Sequence, residues 1–63
     1  MGMKVRVWAH LPGGMGAPYY SGKVDVSTNY GIEEAKERAM REIREVHGNR
    51  EIRIDKIEAL DTW

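Results

Sequence analysis

Lys4, Arg6, Trp8 and His10 recur at every second position early in the chain, and Tyr19, Ser21, Lys23 and Asp25 repeat that spacing further on. A β-strand sends alternate side chains to opposite faces. The spacing therefore predicts cations, an imidazole and two aromatic rings gathered on one surface. Such a surface makes contacts rather than breaking bonds: rings stack on bases or on apolar groups of a partner, and cations meet phosphates or carboxylates. The predicted binding face is Arg6, Trp8, His10, Tyr19 and Lys23, joined by Arg53 from a later strand.

Chemistry of other kinds has little to work with. His10 and His47 are the only histidines and fall in different elements, and there is no cysteine. Zinc sites take three or four such ligands, so no metal site is expected. Ser21, Ser27, Thr28 and Thr62 have no evident base to activate them as nucleophiles. A chain of this size has no second layer from which to build a pocket. The expectation is a non-enzymatic protein with no cofactor and no small-molecule substrate.

A second candidate is the stretch "LPGGMGAPYY", residues 11–20. A phosphate cradle delivers backbone N–H groups at a helix N-terminus, and the nucleoside-triphosphate form ends in Gly-Lys-Ser/Thr. Here no lysine is present, Pro12 and Pro18 remove donors, and a strand follows. "GGMG" fits the G-x-x-G clamp of KH RNA-binding domains, but that clamp joins helices rather than strands. Glycine and proline at this density predict a hairpin tip. Leu11 and Met15, apolar in a tip expected to be exposed, are the argument for a binding loop of Leu11, Gly13, Gly14, Met15 and Gly16.

The elements that must position these residues follow from periodicity. "MKVRVWAH" places Met3, Val5, Val7 and Ala9 inward; "YYSGKVDVS" does the same with Tyr20, Gly22, Val24 and Val26. The two strands form an antiparallel hairpin. Pairing His10 with Tyr19 sets Arg6 opposite Lys23, Lys4 opposite Asp25 and Tyr20 opposite Ala9; a shift of two would keep every residue on its face. The Arg6–Lys23 pairing is a like-charge conflict that Glu51, Asp55 or an anion would relieve.

Residues 32–47 read as a helix, with Ile32, Ala35, Ala39, Ile43 and Val46 on one stripe. Glu34–Arg38, Glu37–Arg41 and Arg41–Glu45 are opposite charges four apart. Asn29 or Gly31 starts it and Gly48 stops it. "REIRIDKIEALDTW" is a third strand whose apolar phase changes between Ile54 and Ile57. Either a bulge near Asp55-Lys56 resets it, or both faces are apolar. The predicted fold is α+β, ββαβ: a three-stranded, mostly antiparallel sheet in order 2-1-3 with one helix on one face. A right-handed crossover that sets strand three parallel to strand two is the rival.

The 63 residues form one domain, with Met1-Gly2 read as a cloning remnant. A chain this short buries roughly 60% of its unfolded surface, so its stability margin is thin. Ten basic residues balance ten acidic ones, which argues against sequence-independent DNA binding. No apolar run nears the ~18 residues of a membrane span and no signal peptide is visible, so a cytoplasmic protein with no membrane partner is expected.

The run "KVRVWAH … YYSGKVDVSTNYGIEEAKERAMREI" resembles small phage- and plasmid-borne accessory proteins of the DpnD/PcfM-like type. The resemblance is carried by Val24, Val26, Glu33, Glu34, Ala35 and Ala39 at the strand-to-helix junction. Trp8 and the long glycine-rich tip depart from it. Ribosomal proteins of the LX type share the element order but are more basic. Either resemblance implies a protein that acts by binding. A protein partner or a homodimer is expected, through the open sheet face or an edge strand; the alternative is single-stranded nucleic acid, RNA in particular, on the aromatic and basic face.

Overall fold

The computed structural model describes residues 1–63. Strand β1 (Met3–Leu11) is followed by β2 (Tyr20–Thr28), helix α1 (Ile32–His47) and β3 (Arg53–Thr62). All pairings are antiparallel and the sheet order is β2-β1-β3. The predicted ββαβ architecture is therefore the observed one, and the parallel rival does not occur.

As the central strand, β1 has its inner face sealed. Val5, Val7 and Leu11 are fully buried and Ala9 nearly so. Leu11 corrects an expectation: it is not an exposed residue of the tip but the last residue of β1, packed with Ala9 and Ile43. The alternation of Val5, Val7 and Ala9 simply continues one step further than the glycine-rich composition suggested.

The hairpin register is the one shifted by two. Arg6 pairs with Asp25, Trp8 with Lys23, Lys4 with Ser27 and Leu11 with Tyr20. Faces are unchanged, as the period of two requires, but the like-charge conflict disappears. Tyr20 lies opposite Leu11 rather than Ala9, and its ring folds over Gly22 toward His47, with ring centroids 4.2 Å apart.

Helix α1 buries Ala35, Ala39 and Ile43. Two alanines let its axis lie close on the sheet. Its footprint covers β2 and part of β1, and its contact with β3 is at most marginal. The end positions of the predicted stripe lie outside that footprint: Ile32 and Val46 are exposed. Gly31 rather than Asn29 stands at the N-cap, without a side-chain cap, while the Thr28 hydroxyl accepts the Tyr30 N–H just upstream. Gly48 ends the helix at φ 80°, its N–H donating to the Arg44 carbonyl. That φ is in the left-handed region where a Cβ is unfavourable. Of the three predicted charge pairs only Glu34–Arg38 forms; Glu33–Lys36 is a further one.

Strand β3 slips register against β1 twice. Ala9 pairs with Ile54 and Trp8 with Lys56, leaving Asp55 extra; Val5 pairs with Ala59 and Lys4 with Asp61, leaving Leu60 extra. The first bulge is the phase reset expected near Asp55-Lys56. It turns Ile57 to the inner face, opposite Val7. Ile52, Ile54 and Ile57 touch the core along one side yet remain half-buried. The sheet runs one residue further, Gly2 and Trp63 exchanging both backbone hydrogen bonds. The molecule is long and narrow, 43 × 17 × 14 Å, with a radius of gyration of 12.3 Å, against about 11 Å for a compact domain of this length.

Candidate binding face and loop

The face that α1 does not shield carries the predicted residues on or beside all three strands and adds others. Trp8 sits between Lys23 of β2 and Lys56 of β3. The Lys56 ammonium lies 4.8 Å from its ring centroid and the Arg6 guanidinium 5.9 Å. Both are within cation–π range. Trp8 is consequently half-buried by the stems of its neighbours rather than fully open.

Arg6 lies between Asp25 and Glu58. Its Nε donates to Asp25 Oδ1 at 2.8 Å and its Nη2 to Oδ2 at 3.0 Å, the two-pronged geometry that suits guanidinium and carboxylate. The hydrogen bond from Arg6 is the main reason that the Asp25 carboxyl is held below the usual range, with the charges of Arg6, Lys4 and Lys23 assisting and desolvation opposing. The same bond pushes the Arg6 guanidinium further up.

His10 Nδ1 lies 2.8 and 2.9 Å from the two carboxylate oxygens of Asp55, the residue extruded by the first bulge. Tyr19, exposed and just outside β2, places its ring centroid 5.9 Å from that of His10. Arg53 pairs across from His10, as expected, and its guanidinium bonds Glu51. Arg6, Trp8, His10, Tyr19, Lys23 and Arg53 are thus brought onto one side. Lys56, Glu58 and Asp55 belong to it too. The sequence signal for them was the phase change between Ile54 and Ile57, which had to be resolved as a bulge before their faces could be assigned.

The face is electrically mixed. Asp25 engages Arg6, Asp55 engages His10, and Glu58 lies 3.5 Å from Lys56. Lys4 is flanked by Ser27 and Asp61. Lys4 and Lys23 are the cations of this face that form no salt bridge.

The connection between β1 and β2 is a small hairpin in its own right. Gly14 and Ala17 exchange both backbone hydrogen bonds, at 3.0 and 2.8 Å. Met15 and Gly16 between them have φ of 52° and 84°. Positive φ at both central positions is the pattern of a type I′ turn, whose twist suits a hairpin. Met15 is fully exposed, and Gly13, Gly14 and Gly16 are exposed around it. Arg50, which the sequence did not single out, closes the base of this hairpin. Its Nη2 donates to the carbonyls of Pro12 and Pro18.

No group of three or more His, Cys, Asp or Glu side chains is gathered in the molecule. The concave regions are shallow grooves. One runs beside the β2 edge between Asp25, Ser27, Arg38, Arg41 and Glu45. There the Arg38 guanidinium donates to the Ser27 carbonyl and so occupies part of that edge.

Together these features define an open-faced α+β protein: a three-stranded antiparallel sheet with one helix on one side and a mixed aromatic and charged surface on the other. Comparison of the chain with protein-family models, with curated proteins and with solved structures finds no match in any of the three.

Proposed function

We infer that the chain is a non-catalytic interaction protein that binds a protein partner, or a second copy of itself, through the part of its sheet that α1 leaves uncovered. The observation that carries this reading is the position of the helix. It lies over β2 and β1, so Ile54 and Ile57 of β3 stay half-buried and the outer edge of β3 pairs with nothing. An unpaired edge flanked by apolar side chains is a template for another chain unless it is blocked. On this reading the protein acts inside the cell, as an accessory protein of the phage and plasmid kind that its strand-to-helix junction resembles.

The test compares wild type with Ile57→Lys, a folded state being verified by circular dichroism. Sedimentation velocity reads self-association, and affinity capture from the native host reads a protein partner. The variant is expected to lose whichever association the wild type makes. Identical behaviour of the two proteins in both measurements would overturn the reading.

A second reading, single-stranded nucleic acid on the Trp8 face, is supported by Lys23 and Lys56 on either side of that ring. The two-pronged ion pair of Arg6 with Asp25 weighs against it, since that cation is partly neutralised already. In a Trp63→Phe background, quenching of Trp8 fluorescence by an oligonucleotide, falling steeply with salt, would support it. A flat titration at low salt would remove it.

A further inference from the structure

Strand β3 has a charge symmetry that extends four residues either side of its centre, where in β2 only Lys23 and Asp25 invert, about Val24. Centred on Ile57, four of its five charges invert: Lys56 and Arg53 lie on the N-terminal side, Glu58 and Asp61 on the C-terminal side; the fifth, Asp55, has Ala59 in the matching place and is engaged by His10. All four project to the same face, since they pair across from Trp8, His10, Arg6 and Lys4. The two bulged segments are disposed about the same centre, although the residues they extrude, Asp55 and Leu60, lie two and three positions from it. Two residues, Ile54 and Asp55, separate Arg53 from Lys56, and two residues, Ala59 and Leu60, separate Glu58 from Asp61.

From this we propose that two copies of the chain associate through β3, antiparallel about a two-fold axis at Ile57. The proposal deepens the reading above by naming the partner and the register. A two-fold contact is made by the same patch on both copies, so residue i meets j and j meets i. With Ile57 opposite Ile57 of the second copy, Lys56 faces Glu58 and Arg53 faces Asp61, each twice. The bulged segments fall opposite one another, Ile54-Asp55 against Ala59-Leu60, so the register is not broken by either slip. Ile54 then approaches Leu60, which is about one-third exposed in one copy alone. The result is a six-stranded sheet in order 2-1-3-3-1-2.

The charges involved are free to change partner. Lys56–Glu58 and Arg53–Glu51 within one copy are exposed pairs, and such pairs contribute little by themselves. Every other obvious contact is less suited. The β2 edge is flanked by α1, and Arg38 occupies one of its carbonyls. The outer face would set Lys23 and Lys56 of one copy against mixed charge with no matching centre.

The chain has no cysteine, so single cysteines report proximity cleanly. Directly opposed residues of an antiparallel pair have Cα atoms about 4.5–5.5 Å apart, within disulfide range. Ile57→Cys is therefore expected to form a disulfide-linked dimer under mild oxidation, and Ser21→Cys on the far edge is not. In sedimentation equilibrium the wild type should pass from monomer to dimer between about 1 μM and about 1 mM, as a small interface does. Lys56→Glu and Glu58→Lys should each weaken the dimer roughly ten-fold by placing like charges opposite one another. Mixed in equal amounts they should associate again, because every contact at these positions is then between opposite charges.

A wild type that is monomeric throughout, or a dimer in which Ile57→Cys does not cross-link, would overturn the proposal. So would folded charge variants that fail to re-associate on mixing. If the wild type is monomeric but Ile57→Lys still abolishes capture of another protein, self-pairing is wrong and the edge reading stands. If Ile57→Lys changes neither measurement, both are wrong.

Discussion

The Arg50 guanidinium donates to the Pro18 carbonyl at 2.6 Å, and through the same nitrogen to Pro12 at 3.1 Å. One side chain from the turn after α1 thereby ties both ends of the β1–β2 connection. Arg50→Ala should leave the sheet intact while the Gly14 and Ala17 amides, which bond one another's carbonyls, exchange with solvent about ten-fold faster. Hydrogen exchange by NMR measures this. The factor corresponds to about 1.4 kcal/mol, the size of one net hydrogen bond. Unchanged protection would mean that the type I′ turn holds itself.

Leu11 and Met15 separate two roles that composition alone merges. Leu11 is fully buried between Ala9 and Ile43, whereas Met15 is fully exposed. Leu11→Ala should cost about 2–5 kcal/mol, the range for truncating a buried aliphatic side chain, a large fraction of what so small a domain has. Met15→Ala should stay within about 0.5 kcal/mol. Urea denaturation of the two variants measures both values, and a similar loss for each would contradict the placement of Leu11 in the core.

The Arg6–Asp25 pair should give stability a defined pH dependence. Its hydrogen bond lowers the Asp25 carboxyl in the folded state relative to the unfolded chain. Folding thus favours the ionised form. The contribution is fully present above the ordinary carboxylate range, about pH 4, and is lost as the pH falls through the lowered folded value. Asp25→Asn should therefore be less stable than wild type at neutral pH, and the gap should close under acid. Denaturation curves at neutral pH and at about pH 3 test the sign. A gap that does not narrow would show that the pair contributes nothing, a common outcome for exposed ion pairs.

Much of the architecture was legible because alternation and helical spacing are local. Val5, Val7 and Ala9 set one face of β1, and Ala35, Ala39 and Ile43 one stripe of α1. What was not legible depends on how elements meet. A register shift of two moves no residue to another face, so period alone could not choose between Lys23 and Asp25 as the partner of Arg6; charge complementarity, which favours Asp25, was the available signal. The bulge at Asp55 was legible only as a change of phase. Its consequence, Lys56 over Trp8 and Asp55 beside His10, needs the strand pairing. Arg50 lies 32 residues from Pro18 in the chain, and nothing near it in sequence marks it.

Gly22 and Tyr20 make a prediction whose sign depends on the background. Both belong to the inner side of β2, and a Cβ built on Gly22 would lie 2.5 Å from the Tyr20 hydroxyl oxygen and 3.0 Å from Cζ. Alanine at this position therefore requires the Tyr20 ring to move, and that ring is packed against His47 at the end of α1. Two effects compete. Replacing glycine within a strand reduces the freedom of the unfolded chain and by itself stabilises by about 0.5–1 kcal/mol. Displacing an aromatic contact costs about 0.5–1.5 kcal/mol beyond the loss of buried area. Gly22→Ala should thus be neutral to destabilising in the wild type and stabilising in a Tyr20→Ala background, where the three nearest crowding atoms are gone. A double-mutant cycle by thermal or urea denaturation isolates the coupling. If Gly22→Ala has the same effect with and without the tyrosine, the ring does not depend on the missing Cβ, and the junction between β2 and the last turn of α1 is held by other contacts.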